Sequence, residues 1–137
     1  MKNEFTFKEV SEIFKQVYAV EAKFQTLVNA EIKADQLSHD FDERFRELNY
    51  TFYGATQADH DLFDQKCKAM DAEEKASKAA YKTVVKFAEM VGIGQNYDDI
   101  IAEEVKAYIK NKFYYNGMRV VRNVKYLAKR AAERIEY

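Results

Sequence analysis

The 137-residue chain contains no proline and only four glycines, so few positions along it can interrupt a helix. Its apolar residues recur every three or four positions, which is the spacing of one face of an α-helix. No stretch alternates apolar and polar residues strongly enough to predict a strand. These features predict an all-α protein, a helical bundle of four to five helices with long antiparallel helices, forming a single domain over residues 1–137.

The first predicted helix covers about residues 7–35. Thr6 and Glu9 have the spacing of a capping box, in which a hydroxyl and a carboxylate satisfy each other's backbone N–H groups. The near-heptad spacing of the apolar residues behind them suits a bundle helix or a coiled-coil arm. These residues are Val10, Ile13, Phe14, Val17, Val20, Phe24 and Leu27.

A second, shorter helix is predicted to begin at Ser38, whose hydroxyl can serve as its cap, and to end at Gly54. Acidic residues near its start complement the positive end of a helix dipole. Its inward stripe is predicted to consist of Phe41, Phe45, Leu48 and Phe52.

The third predicted helix begins near Thr56 and Asp59, which offer a start signal, and ends at Gly92. We interpret residues 57–92 as one helix, and two helices with a kink near residues 73–77 are the alternative. The apolar stripe of this helix is predicted to be Phe63, Cys67, Met70, Ser77, Tyr81, Val84, Ala88 and Val91.

The segment Gly92-Ile93-Gly94 is the clearest break in the sequence, and Asn96 can cap the helix that follows it, near residues 97–114. The apolar stripe of this helix and that of the next segment point about 150° apart on one helical wheel. One straight helix could not bury both stripes against the same core. The sequence therefore predicts a break at Asn116-Gly117 and a fifth helix near residues 118–136, with one continuous helix as the alternative.

The charges are distributed unevenly along the chain. Residues 1–100 hold 13 Lys and Arg against 19 Asp and Glu, a net charge of −6. Residues 101–137 hold nine basic and four acidic residues, a net charge of +5. The pattern predicts an acidic body over residues 1–95 and basic C-terminal helices over residues 96–137, with different surfaces.

The last predicted helix separates apolar residues onto one half of a helical wheel and cations onto the other. Cations can replace the counterions of a phosphate backbone, and tyrosine rings can stack on unpaired bases. We therefore expect this helix to contact nucleic acid or a nucleoprotein complex. The residues predicted to make that contact are Lys112, Tyr115, Arg119, Arg122, Lys125, Tyr126, Lys129, Arg130 and Arg134.

Three other interpretations of these charges remain open. The basic half of the helix could be an ordinary solvated face. The acidic body and aromatic residues could bind a host protein such as a nuclease, because small inhibitors from phages and mobile elements often share this profile. The acidic body could also meet the basic helix of a neighbouring copy, which would make the protein a self-assembling homo-oligomer. Tyr50, Phe52 and Tyr53, and the run Phe113-Tyr114-Tyr115, span more than one helix face, so some of these rings should reach solvent or a partner.

Catalytic and metal-binding motifs are weak in this sequence. His60, Asp64 and Cys67 would share one helix face, but Cys67 also fits the apolar stripe and no second His or Cys cluster completes a tetrahedral set. The sequence contains no Walker loop, Gly-x-Ser-x-Gly or His-Glu-x-x-His motif. We expect a binding protein that is not an enzyme and uses no cofactor or metal.

The single cysteine cannot form an internal disulfide, which favours a cytoplasmic location. The first ten residues, MKNEFTFKEV, are charged and lack the apolar core of a signal peptide. No stretch approaches the roughly 20 apolar residues needed to cross a bilayer. We therefore expect a soluble cytoplasmic protein without a membrane partner.

Overall fold

The computed structural model describes residues 4–93, 100–111 and 117–134. Across these ranges it contains four helices, namely α1 (Phe7–Glu47), α2 (Gln57–Val91), α3 (Ile100–Lys110) and α4 (Gly117–Ala132). The prediction of an all-α bundle with long helices is confirmed. No helix in the described ranges combines the length and the apolar character that crossing a membrane requires.

The chain forms two compact units. One consists of Met1–Gln25 together with Lys78–Tyr137, and we call it the terminal unit. The other is Thr26–Ser77, which contains the end of α1, the turn after it and the beginning of α2, and we call it the hairpin unit.

Helix α1 is one helix of 41 residues, so the predicted second helix with a cap at Ser38 is wrong. Ser38 is half-buried inside α1. It occupies one position of a seam whose members are spaced alternately three and four residues apart, which is a heptad repeat. All of the seam residues are buried or half-buried: Val10, Ile13, Val17, Val20, Phe24, Leu27, Glu31, Ala34, Ser38, Phe41, Phe45 and Leu48.

The predicted capping box at the start of α1 is confirmed. The backbone N–H of Glu9 donates to the hydroxyl oxygen of Thr6, and the backbone N–H of Thr6 donates to the carboxylate of Glu9, both at 3.1 Å. Each residue thereby satisfies a backbone donor that the first turn of a helix would otherwise leave open.

Helix α1 ends through a Schellman motif rather than at Gly54. Tyr50 N–H donates to the carbonyl of Phe45 at 2.9 Å, and Asn49 N–H donates to that of Arg46 at 3.0 Å. Asn49 takes the left-handed conformation, with φ of 59°, that this motif requires at its first non-helical residue. Gly54 lies in the turn that follows the helix.

The predicted end of α2 at Gly92 is confirmed by a second Schellman motif. Gly92 has a φ of 73°, and Ile93 N–H donates to the carbonyl of Ala88 at 2.9 Å. Residues 57–91 form one helix, as predicted.

The predicted apolar stripe of α2 is wrong for its first half. Phe63, Cys67 and Met70 are exposed. Charged and small residues occupy the seam instead, so the apolar pattern in this part of the sequence did not reveal the heptad repeat. The seam residues, all buried or half-buried, are Asp59, Leu62, Lys66, Ala69, Glu73, Ala76 and Ala80.

Two charged seam residues of α2 in the hairpin unit, Asp59 and Lys66, pair with residues of α1. Arg44 donates two hydrogen bonds to Asp59, from Nε to Oδ1 at 2.7 Å and from Nη2 to Oδ2 at 3.1 Å. Lys66 lies 3.5 Å from a carboxylate oxygen of Asp42, and its ammonium lies 4.7 Å from the centre of the Phe41 ring. These contacts favour one register of α1 against α2 in the hairpin unit, because a shift by one turn would leave the buried Asp59 without its guanidinium partner.

In the terminal unit, α3 and α4 pack on the first part of the chain around an apolar core. Gln16 of α1 donates to the carbonyl of Thr83 in α2 at 2.9 Å, and the Phe24 ring of α1 lies 6.0 Å from the Tyr108 ring of α3. The core residues with the lowest exposure are Val20, Val84, Phe87, Val91, Ala102, Val105, Val124, Leu127, Ala128 and Ala131.

The separation of α3 from α4 agrees with the predicted break between two helices. Helix α3 ends at Lys110, and α4 begins at Gly117. Gly94, Asn96 and Asn116, which were predicted to mark helix ends, lie outside the described residues.

Asp59 connects the start of α2 to α1, because it accepts the Thr56 backbone N–H at 2.8 Å as well as the two bonds from Arg44. We expect Asp59→Ala to lower the melting temperature more than Asp59→Asn, since asparagine keeps an oxygen for the cap. Thermal unfolding followed by circular dichroism measures this, and Asp61→Ala is the control at an exposed position of the same helix. Equal melting temperatures for Asp59→Ala and Asp61→Ala would contradict this role.

Glu73 makes the hairpin unit sensitive to pH. Burial raises the pKa of Glu73, and the negative charges of Glu31 and Asp35 raise it further. A raised pKa means that the folded state favours the protonated form, so the contribution of Glu73 to stability is full in acid and is lost as the pH rises through its folded-state pKa. We expect Glu73→Gln to raise the urea midpoint at neutral pH, with a gain that disappears in acid. Asp71→Asn is the control, and an equal gain from it at neutral pH would overturn the assignment.

Candidate functional site

Helix α4 has one buried and one exposed face. Its buried residues are Val120, Val124, Leu127, Ala128 and Ala131, and its exposed residues include Arg119, Arg122, Lys125, Tyr126 and Lys129. Two of the residues predicted to contact nucleic acid, Lys112 and Tyr115, lie outside the described residues.

Arg119 connects α4 to α3. Its Nε donates to Oε2 of Glu104 at 3.0 Å, and its Nη2 donates to Oε1 of the same carboxylate. Asn123 also donates to Glu104, at 2.7 Å. The hydrogen bonds from Arg119 and then Asn123 lower the pKa of Glu104, so this carboxylate stays ionised beside the guanidinium. Arg119 therefore forms an ion pair within the protein that connects α4 to α3.

Lys125 connects α4 to α1, because its ammonium lies 2.7 Å from a carboxylate oxygen of Glu21. Arg119 and Lys125 are thus both neutralised by the protein's own carboxylates. The sequence could not show these pairs, because Glu21 and Glu104 are far from their partners along the chain.

Arg122, Tyr126 and Lys129 remain on the outermost line of α4, at positions i, i+4 and i+7, and we call these three residues the α4 crest. No carboxylate of the described ranges forms an ion pair with Arg122 or Lys129. Arg130 lies beside the crest, with its guanidinium 5.9 Å from the centre of the Tyr126 ring. The crest is about 10 Å long, which is the rise of about three nucleotides of one strand.

Arg134, the last of the predicted contact residues, lies beyond the end of α4 and away from the exposed line of cations. Arg134 is half-buried, and its backbone carbonyl accepts a hydrogen bond from the Phe5 N–H at 3.0 Å. Glu133 is exposed one turn beyond Lys129, and it limits the positive surface on that side.

A second exposed surface lies at the turn of the hairpin unit. The rings of Phe41, Phe45, Phe52 and Phe63 contact one another, with centroids 5.2–6.2 Å apart. Around this cluster, Tyr50 is 72% exposed and Tyr53 is 91% exposed. The prediction that some of the rings at positions 50, 52 and 53 reach solvent is confirmed, whereas residues 113–115 lie outside the described residues.

The two compact units of the protein carry net charges of opposite sign. The hairpin unit holds six Lys and Arg against twelve Asp and Glu, a net charge of −6. The terminal unit holds 16 basic and 11 acidic residues, a net charge of +5.

The residues considered for metal binding do not form a site. His60 stacks on the Phe52 ring with centroids 5.3 Å apart, and Cys67 is exposed on α2. Over the part of the chain that the structure describes, no three His, Cys, Asp or Glu side chains are grouped closely enough to hold a metal ion.

Comparison of the chain with protein families, with curated proteins and with solved structures gives no match. Two exposed surfaces remain as candidates for binding, the α4 crest and the aromatic turn of the hairpin unit.

Leu127 anchors the crest, because it is fully buried one residue away from Tyr126. We expect Leu127→Ala to reduce the free energy of unfolding by about 2–5 kcal/mol, the usual cost of a cavity in a packed core. Tyr126→Ala, on the exposed face, should change it by less than about 0.5 kcal/mol. Urea unfolding of both variants measures the difference, and similar values would show that α4 is not packed as described.

Proposed function

We propose that this protein is a non-enzymatic helical binding protein that contacts nucleic acid, free or in a nucleoprotein complex, through the α4 crest. One observation carries the proposal, namely that Arg122 and Lys129 stand on either side of an exposed tyrosine without a carboxylate partner in the described ranges. The crest also belongs to the unit with a net charge of +5, so the surrounding field attracts an anionic polymer.

Each crest residue has a separate part in such a contact. Arg122 can hold a phosphate through two parallel N–H bonds, and Lys129 can act as a point charge about two turns further along. Tyr126 lies between them and offers a ring face for an unpaired base. A contact made mainly with phosphates and ring faces would bind single strands with little sequence preference.

The proposed site is narrower than the set of residues predicted from the sequence. Arg119 and Lys125 still add to the positive field, but a phosphate that bound them would have to displace Glu104 or Glu21. We therefore assign direct contact to the crest, with Arg130 beside it, and assign the two paired cations to holding α4 in place.

We also propose a cytoplasmic location. The support is that the only cysteine, Cys67, is a free thiol on the surface of α2, which suits a reducing compartment.

We expect the double variant Arg122→Gln/Lys129→Gln to bind a single-stranded oligonucleotide more weakly than the unaltered protein. The slope of log affinity against log salt should decrease by about 0.7 for each phosphate contact that is lost. Fluorescence anisotropy at several salt concentrations measures both quantities. Tyr126→Ala should weaken binding to single strands and leave binding to duplex unchanged, because only unpaired bases stack on the ring.

The matched control is Lys82→Gln/Lys86→Gln, which removes two exposed cations from α2 of the same unit. If both double variants weaken binding equally, the contact is general attraction to the basic unit and the crest has no special role. Absence of binding by the unaltered protein at low salt would overturn the proposal entirely.

A further inference from the structure

The turn of the hairpin unit and the helix ends beside it account for nearly all of that unit's net negative charge. We call the surface formed by residues 39–64 the acidic tip. This segment holds seven Asp and Glu and two Lys and Arg, a net charge of −5. Such a density of charge is unfavourable unless cations lie nearby, either within the protein or on a partner.

The basic residues near the acidic tip are largely used internally. Arg44 pairs with Asp59 and also donates to Glu47 at 3.1 Å. Lys66, just outside the segment, pairs with Asp42. Arg46, which lines a shallow groove of about 460 Å³ together with Phe45 and Tyr50, is the remaining cation of residues 39–64.

Several carboxylates of the acidic tip are exposed and have no Lys or Arg partner among the residues that the structure describes. Asp40 accepts only the neutral amide of Gln36, and Asp61 only that of Gln57. The four such carboxylates are Asp40, Glu43, Asp61 and Asp64. Glu43 lies 3.2 Å from His39, whose charge depends on protonation.

Exposed aromatic rings stand among these carboxylates. Tyr50, Tyr53, Phe52 and Phe63 all present ring surface to solvent. A guanidinium or ammonium group binds well where it meets a carboxylate and a ring face together. A nucleic acid would be repelled by the same charge, so the chemistry of the acidic tip favours a cationic protein surface as its partner.

The chain itself provides a surface of that chemistry. The α4 crest presents two cations without ion-pair partners in the described ranges and a tyrosine between them, on a unit with a net charge of +5. The carboxylates of the acidic tip can take the place of phosphates, and its rings can take the place of bases. We propose that the acidic tip of one copy docks on the α4 crest of a second copy.

The two surfaces are different, so the contact joins copies head to tail and leaves one acidic tip and one crest free at the ends. Repetition of this contact gives a ring or an open chain of copies. Because the proposal uses the crest residues of the proposed function, nucleic acid and a second copy would compete for the same surface. Self-association itself needs no nucleic acid and can be tested without it.

Two charge-reversal variants test the contact. The crest variant is Arg122→Glu/Lys129→Glu, and the tip variant is Asp40→Lys/Glu43→Lys. All four positions are exposed, and circular dichroism verifies that each variant is folded. In sedimentation velocity without nucleic acid at low salt, we expect the unaltered protein to associate in a concentration-dependent way. Each variant alone should associate at least about tenfold more weakly, because like charges then meet.

Mixing the two variants should restore association. The reversed crest of one meets the reversed tip of the other, and the remaining tip and crest match as in the unaltered protein. If the variants acted only through their net charge, mixing them would produce general attraction between two oppositely altered proteins and would not restore the specific contact. Two control variants carry the same changes in net charge at other exposed positions, namely Lys82→Glu/Lys86→Glu and Asp71→Lys/Glu74→Lys. Both controls should associate like the unaltered protein.

Rings and charges contribute separately to the contact. Tyr50→Ala/Tyr53→Ala should weaken self-association by about fivefold to tenfold, because two ring faces for cations are lost. Tyr18→Ala, at an exposed ring of the terminal unit, is the control and should have no effect.

Two outcomes would overturn the proposal. One is that the unaltered protein stays monomeric at low salt and at every concentration. The partner of the acidic tip would then be a different, basic protein. The other is association that persists in the tip variant. Neither outcome bears on the proposed function, since oligonucleotide binding by the tip variant measures the crest alone.

Discussion

The structure depends on a heptad seam that runs the length of α1. From Val10 to Leu48, every third or fourth residue turns toward a partner helix, and the spacing is not interrupted. In the terminal unit these positions are apolar, and their burial is the main interaction that holds the helices together. In the hairpin unit the same positions include Glu31 and Ser38, so packing there depends on specific pairs between helices. The pairing of Arg44 with Asp59 provides one, and it also caps α2 through Thr56.

The sequence predicted the helical class, the single helix over residues 57–91, and the capping box at Thr6 because those signals are local. It wrongly divided α1 into two helices, because a serine such as Ser38 can be either a helix cap or a residue inside the seam. The exposed Phe63 and Met70 suggested a false stripe on α2, since the true seam there includes Lys66 and Glu73. That Lys66 and Glu73 face the seam becomes visible only when the neighbouring helix is in place.

The candidate sites were predictable to a similar degree. The separation of apolar and basic faces on α4 follows from its sequence, and the exposed face is where the cations were expected. Which cations are free depended on carboxylates of other helices, Glu21 and Glu104, and no spacing rule connects those to α4. The terminal unit's net charge of +5 equals that of residues 101–137, so the sequence showed the opposite charges, although not that this unit is assembled from both ends of the chain. Two surfaces of opposite sign, both bearing tyrosine, result from that arrangement.

The left-handed backbone at the end of α1 has an evolutionary consequence. Asn49 tolerates this conformation, but the next residue, Tyr50, shares it with a φ of 58°. For a residue with a bulky side chain that conformation costs about 1–2 kcal/mol, and glycine would relieve it. Selection for thermal stability alone would favour glycine at position 50. A related protein with glycine at this position would therefore indicate that the contact made by the tyrosine ring is no longer under selection.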